Sequence, residues 1–324
     1  MPTSPLMKKN PHMTNTRALN ATSHANPLQQ YSFQNTMMVC TVMILSFITA
    51  LPVRADQLEH IGSFDWPTVS IVGLSGLEVS EDGTGFRAIG DRGWYISGQF
   101  ERASEQIIDI TIEKHLPILG NNGLPVSSRR VGDWSDAEGL AVAPDGTLWI
   151  SFERWTRVAR YDAPELAGQW VKDHPDFATW RDNRQLEALA IDSDGVLFTF
   201  PERPLPEGYP IYRLDQNTWS IGGHLPEDNG FSIVGADFGT DGLLYLLERK
   251  LVLGLWWQNQ IRRLDITVPN TIEVLWTGQR GEYFNLEGIS LWQDGTGQRI
   301  TLVSDDNADP DETTQFVEFR IIPE

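Results

Sequence analysis

Five times along the chain an apolar run leads into Asp-Gly, a second apolar run leads out of it, and the phrase ends on acidic or acidic-plus-Arg residues. The copies occupy 75–92, 138–154, 187–203, 234–249 and 287–307, with the turns at Asp82, Asp145, Asp194, Asp241 and Asp294. Before each Asp-Gly the pattern alternates, as Leu140 and Val142 do against Ala141 and Ala143. After it, aliphatic and aromatic residues dominate. Each copy therefore predicts two strands joined by a tight hairpin. A spacing of roughly fifty residues is that of propeller blades.

Further strand-like runs flank each hairpin, such as 107–113 before and 157–161 after the second copy, which gives four strands per unit. Counted this way, 57–64 is the innermost strand of the first blade and 315–322 the outermost strand of the last. The expected fold is all-β, a β-propeller of five four-stranded blades. Six is the alternative, because the stretch from Asp82 to Asp145 has room for a degenerate blade. Trp134, Trp149, Trp155, Trp256, Trp257, Trp276 and Trp292 are expected mainly in the wedges between blades. The insertions at 116–135 and 163–184 are rich in Pro, Gly, Asp and Asn, and functional loops are expected there.

The N-terminal stretch has a different character. Residues 37–51 form an apolar run short for a membrane span, preceded by Lys8, Lys9 and Arg17 and followed by Val53-Arg54-Ala55, a small-x-small cleavage pattern. Residues 1–55 are read as an export leader and 56–324 as one propeller domain. The mature protein would then be periplasmic or extracellular, with no membrane span. Cys40 is the single cysteine of the chain and lies inside the apolar run, which excludes disulfides, thiolate catalysis and cysteine metal sites from 56–324.

Charge narrows the partners. The chain carries a net charge of −19, and residues 1–55 hold four basic side chains and no acidic ones, so the remainder is more negative still. Such a surface repels nucleic acid and anionic membranes. A small-molecule substrate and a monomeric state are expected.

Aligned on Asp-Gly, Ser75, Glu138, Glu187, Val234 and Glu287 fall at one position. Asp91-Arg92, Glu153-Arg154, Glu202-Arg203, Glu248-Arg249 and Asp305-Asp306-Asn307 fall at another. Hairpin strands are antiparallel, so both sets gather at the end away from the turns. A symmetric two-residue turn places Glu138 opposite Glu153 and Glu187 opposite Glu202, an arrangement that demands a cation or a proton between the carboxylates. A one-residue bulge changes the partner, and Glu–Arg pairs could instead hold the blades together. The copies diverge at Val234 and at 304–307, an oxygen-rich cluster of the kind hard cations prefer. Pro310 and Phe316 exclude an EF-hand there. Gly73-Leu74-Ser75-Gly76-Leu77 lacks the second glycine of a nucleophile elbow, and the histidines beyond residue 55 occur singly, without zinc spacing.

Leu74–Arg92 with its Gly-Asp-Arg-Gly ending, Asp136-Ala137-Glu138-Gly139-Leu140, Leu186-Glu187-Ala188-Leu189, Asn285-Leu286-Glu287-Gly288-Ile289 and Ser304-Asp305-Asp306-Asn307 together resemble the family called esterase-like activity of phytase. These phytase-like domain proteins are mostly exported and bacterial, and the resemblance spans nearly all of 57–324. It implies a propeller with an acidic functional face and metal-assisted hydrolysis of phosphoesters. Glu138, Glu187 and Glu287 would be its catalytic carboxylates. Asp91, Glu153, Glu202 and Asp305 would hold Ca2+ or Mg2+, and Arg92, Arg154 and Arg203 would bind phosphate oxygens. The alternatives are a non-catalytic propeller that binds a protein, sugar or phosphorylated ligand, and a calcium-dependent lactonase.

Overall fold

Each of the five Asp-Gly turns closes a hairpin in the computed structural model, which describes residues 56–68, 71–128, 135–180, 185–268, 271–307 and 312–323. In the second, third and fourth copies the turns are three-residue loops rather than symmetric two-residue ones, whereas the first has four residues and in the fifth Asp294 pairs with Gly297 across two. In the second copy Gly146 N–H donates to Ala143 O at 2.8 Å and Ala143 N–H donates to Thr147 O at 2.9 Å. Gly146 itself sits at φ +88°. That is a type I turn followed by a left-handed glycine, and Asp145 Oδ1 accepts the Thr147 N–H at 3.0 Å to fix it.

The strands assemble into five four-stranded antiparallel sheets, and no sixth blade is present among the described residues. Strand β1 (Gln57–Trp66) comes first in the chain. The first blade is β2 (Leu74–Val79), β3 (Gly85–Gly90), β4 (Trp94–Ala103) and β5 (Gln106–Pro117). The second is β6 (Ala137–Val142), β7 (Leu148–Phe152), β8 (Arg157–Tyr161) and β9 (Gln169–Trp170). The third is β10 (Leu186–Ile191), β11 (Leu197–Pro201), β12 (Tyr209–Asp215) and β13 (Thr218–Leu225). The fourth is β14 (Ser232–Phe238), β15 (Leu244–Val252), β16 (Trp256–Leu264) and β17 (Glu273–Thr277). The fifth is β18 (Asn285–Asp294), β19 (Gly297–Asp305) and β20 (Thr314–Ile322), completed by β1. Strands β2, β6, β10, β14 and β18 pack one against the next in a closed ring around the axis.

This order shifts the expected phase by one strand. The Asp-Gly hairpins form the first and second strands of each blade, so the run 107–113 belongs to the outermost strand of the blade before. Strand β1 is the outermost strand of the last blade and not the innermost of the first; β20 lies inside it as the third strand. The two pair from Gln57 with Ile322 to Trp66 with Thr314. A terminal segment therefore does complete a blade, because the chain from 285 onward supplies only three strands to the fifth sheet.

Burial follows from the stacking. Strand β11 is buried at every position because blades cover both its faces, whereas the outermost β5 exposes most of its residues. Trp292, Phe86, Phe100 and Phe316 fill the wedge between the fifth and first blades, with Phe86 stacked on Phe100 at 4.7 Å. Of the tryptophans expected in the wedges, Trp292 is buried, Trp149, Trp257 and Trp276 are partly buried, and Trp155 and Trp256 are exposed; Trp134 lies outside the described residues. Ion pairs do join blades: Arg102 meets Glu318, outside the repeat endings, at 2.7 and 2.8 Å, and Arg249 of the fourth repeat ending bonds Glu287 of the fifth blade.

Around the axis the backbones nearly touch. A Cβ on Gly139 would lie 2.6 Å from Glu187 O and 2.6 Å from Leu189 Cβ in the next blade. Gly139→Ala is expected to destabilise by about 3 kcal/mol, the upper part of the overpacking range, because backbone must move to admit the methyl. A urea midpoint lowered at constant m-value checks this.

Candidate functional site

One local irregularity recurs in every innermost strand and shapes the site. Ala137 pairs with Phe152 and Leu140 with Ile150, so Glu138 and Gly139 occupy a β-bulge. Glu187, Val234 and Glu287 are likewise skipped by the ladders of their blades, and Ser75 lies in the break between Leu74 and Leu77. A bulge turns its residue out of the pleat. Ser75, Glu138, Val234 and Glu287 thereby line a narrow axial cavity of about 10 Å³. Glu187 lies close enough for its charge to act on Glu138.

The second ring comes from the ends of the second strands. Glu153 N–H donates to Asp136 O and Glu202 N–H to Gln185 O, both at 2.9 Å, and Asp91 N–H donates to Gly73 O at 3.0 Å. Arg249 pairs with Ser232 and Asp305 with Asn285. Asp91, Glu153, Glu202, Arg249 and Asp305 are thus equivalent. The expected pairing of Glu138 with Glu153 and Glu187 with Glu202 across the ladder is replaced by Asp136 with Glu153 and Gln185 with Glu202, because the three-residue turn and the bulge each shift the register by one residue. Glu248 is not a member of this ring. It is fully buried against Arg262, with Gln260 donating to it at 3.0 Å.

Seven of the residues singled out from sequence thus share one face: Glu138, Glu187, Glu287, Asp91, Glu153, Glu202 and Asp305. Sequence reasoning missed Asp136 and Arg249. The carboxylates of Asp136, Glu138 and Glu153 each offer an oxygen within 4.8 Å of the others, a spread that ligands about 2.3–2.6 Å from a calcium ion can span. Two more oxygens point to a cation. Ser75 Oγ, 3% exposed, and Asp91 Oδ1 are buried without hydrogen-bond partners. The donor set is all oxygen, which fits a hard divalent cation.

Crowding of carboxylates in a poorly hydrated mouth shifts their protonation. Burial, then repulsion from Glu187, Glu287 and Asp136, pushes Glu138 well above the usual carboxylate range. Burial and then Glu202 do the same to Glu187, against the opposing pull of Arg249. Burial and Asp136 raise Glu153 to about 7, burial raises Asp91 to about 6 despite Arg92, and burial with Glu287 raises Asp305 to about 8. Asn307 N–H partly offsets the last by donating to Asp305 Oδ1 at 2.7 Å.

Arg249 lies inside this cluster. It bonds Glu287 and Asn285, and its second nitrogen is 3.9 Å from Glu202. Burial works against its charge, but Glu287, Glu187 and Glu202 outweigh that and raise its pKa. The arginines expected to bind phosphate lie further out: Arg92, Arg154 and Arg203 are about half exposed, beside Asp91, Asp136 and Glu202 at 4.0, 3.2 and 3.5 Å.

Among the described residues no helix is long and apolar enough to cross a membrane, and residues 1–55, with Cys40, lie outside them. The fold is shared with solved structures of low sequence identity. It is similar to an α-L-arabinofuranosidase of Podospora anserina crystallised with cellotriose, with a TM-score of 0.50 at 12% identity, covering 83% of this chain and 98% of that one. An aldose sugar dehydrogenase of Streptomyces coelicolor in its PQQ-bound form follows, with a TM-score of 0.46 at 12% identity over 84% of this chain and all of that one. At such identities the likeness is one of fold. No curated protein matches the sequence. The profile of the phytase-like family, described as esterase-like activity of phytase, matches residues 69–308. That match covers most of the chain and the whole bulged face, and the chain belongs to the phytase-like family.

Proposed function

We propose that the protein is an exported hydrolase that cleaves phosphoesters with the help of a divalent cation, calcium in the first place, held by Asp136, Glu138 and Glu153. The convergence of these three carboxylates at one end of the axial cavity is the observation that carries this reading. When bound, the ion supplies Lewis acidity toward an ester oxygen. The chain supplies the rest. Glu187, held protonated by burial and Glu202, is placed to give a proton to a leaving oxygen. Arg249 bonds Glu287 and holds it in place. Arg92, Arg154 and Arg203 ring the mouth as forked donors for the non-reacting phosphate oxygens. Asp91, on the neighbouring first blade, and Asp305, on the fifth, offer further oxygen ligands.

The test uses purified protein against phytate, simple phosphomonoesters, carboxylate esters and lactones, with calcium, with magnesium and with chelator. The expected result is calcium-dependent release of phosphate. Glu187→Gln should lower turnover by about 10²–10⁴-fold, the contribution of a positioned proton donor. Glu138→Gln should abolish the response to calcium. Turnover of lactones but not phosphoesters would move the assignment to a lactonase, and no turnover of any of these substrates would sink the catalytic reading in favour of a ligand-binding propeller.

A further inference from the structure

The end of the axis nearer the Asp-Gly turns is fastened by a second set of polar side chains. Three residues beyond the bulged positions, Glu78, Ala141, Ala190, Asp237 and Ser290 stand opposite Arg87, Trp149, Phe198, Tyr245 and Thr301 in their ladders, so they share one level of the ring. The innermost strands have no further strand on their axial side, and their inward N–H groups need other partners. Val142 N–H donates to Glu78 Oε1 at 3.1 Å, Leu291 N–H to Asp237 Oδ2 at 2.6 Å and Val79 N–H to Ser290 Oγ at 2.9 Å.

One rule describes all three bonds: the side chain of one blade takes the amide one residue further along in the next. The first blade is thereby tied to the second, the fourth to the fifth and the fifth to the first. Ser290, fully buried, also bonds Asp237 through its hydroxyl. The contacts thus run from Asp237 through Ser290 to Val79, and from the adjoining Glu78 to Val142.

Two of the groups in this network are carboxyls, and among the described residues neither makes an ion pair. Asp237 lies near enough for its charge to act on Glu78. Arg87, opposite Glu78 on β3, is exposed and acts on it weakly; Tyr245 of β15 stands opposite Asp237, and β6, β10 and β18 bring only alanine, alanine and serine to this level. Two carboxylates so placed repel one another unless a proton is taken up. Asp237 accepts from the Leu291 amide, from the Phe238 amide at 2.7 Å and from Ser290, donors that favour its anion, whereas Glu78 accepts from the Val142 amide alone. The proton of the pair therefore belongs on Glu78. Burial and then Asp237 push Glu78 well above the usual carboxylate range, and burial lifts Asp237 to about 7 against its donors.

We propose that Glu78 and Asp237 form a proton-operated latch on the ring: with one proton between them they fasten four blades at the turn end of the axis, and loss of that proton to solvent sets two anions against each other and loosens it. The folded pair keeps a proton that the unfolded chain releases near pH 4, so the contribution of the latch is full below about pH 4 and fades as pH rises through about 7. Calcium on the carboxylate face takes the place of the protons there and leaves this one untouched. The two ends of the axis thus answer to different signals, and the latch does not depend on the hydrolase reading.

The experiment is hydrogen exchange read by mass spectrometry on the full chain in saturating calcium, with rates corrected for chemical exchange at each pH. Between pH 5 and pH 8 the protection of peptides carrying Val79, Val142 and Leu291 should fall about tenfold more than that of peptides from β12 and β16. Glu78→Gln supplies a second reading, because its amide imitates the protonated carboxyl and can still donate to Asp237. At pH 5 its thermal midpoint should match the wild type's. At pH 8 it should lie about 4–8 °C higher, and the extra exchange should vanish. A midpoint lowered equally at both pH values would make Glu78 an ordinary anion and overturn the proposal, as would one that stays at the wild-type value at pH 8. Exchange at Val142 and Leu291 that follows the rest of the protein at every pH would overturn it in the wild type alone, whether or not the variant folds.

Discussion

Replacing Arg249 by methionine is expected to lower the stability of the protein by about 3–5 kcal/mol at pH 8, the cost of leaving buried charge without its partner. Arg249 is the guanidinium that Glu287, Glu187 and Glu202 share, and its side chain is only 12% exposed. Methionine fills most of the same volume, so the loss would be electrostatic and not a cavity. Lowering the pH should relieve it, since the orphaned carboxyls can then take up protons. The contrast is with Arg92→Met, Arg154→Met and Arg203→Met, whose side chains are 43–55% exposed and whose ion pairs solvent screens. Each of those should cost no more than about 1 kcal/mol. Urea midpoints for the four variants at pH 8 and pH 5 measure this, and an Arg249 effect no larger than the others, or one that does not shrink at pH 5, would show that the cluster does not depend on it.

A second large effect follows from the raised carboxyls. Asp305 at about 8 and Glu153 at about 7 stand well above their ordinary values of 3.8 and 4.5. Between those limits the folded protein holds protons that the unfolded chain has released, so this contribution is full below about pH 4 and disappears as pH rises through 7 and 8. The slope approaches about 1.4 kcal/mol per pH unit for each group while it holds its extra proton. Metal-free protein should therefore be several kcal/mol less stable at pH 8 than at pH 5. Calcium competes with these protons, so millimolar calcium should raise the thermal midpoint markedly at pH 8 and scarcely at pH 5. A midpoint in chelator that is flat or rises with pH would contradict the charge assignment of the whole face.

What the chain discloses of this arrangement is uneven, for physical reasons. The hairpins are legible because Asp-Gly flanked by alternating apolar residues is local chemistry. The phase of the blades is not, since residues 57–66 alternate in the same way whether they lie at the axis or at the rim, and the strand that decides it is more than two hundred residues away. Arg249 is legible by counting: like Glu153 and Glu202, it stands eight residues after its turn aspartate. Chemical likeness favours Glu248 instead, and the register favours Arg249. Asp136 is hidden by comparison among the copies, because Gly73, Gln185, Ser232 and Asn285 occupy its position elsewhere. The bulges leave a fainter trace in the small residue after each ring position, Gly76, Gly139, Ala188, Gly235 and Gly288, where the next blade's backbone leaves space for little else.

The pairing of β1 with β20 has a mechanical consequence. Gln57 and Ile322 lie side by side at one end of the ladder and Trp66 and Thr314 at the other, so a pull on the two chain ends loads the bonds one rung at a time. Such a seam opens like a zipper, at low force, where a pair pulled in shear would resist until all its rungs failed together. The ring would tear first at the fifth blade, and the carboxylates of the second and third would keep their mutual geometry after the seam had parted.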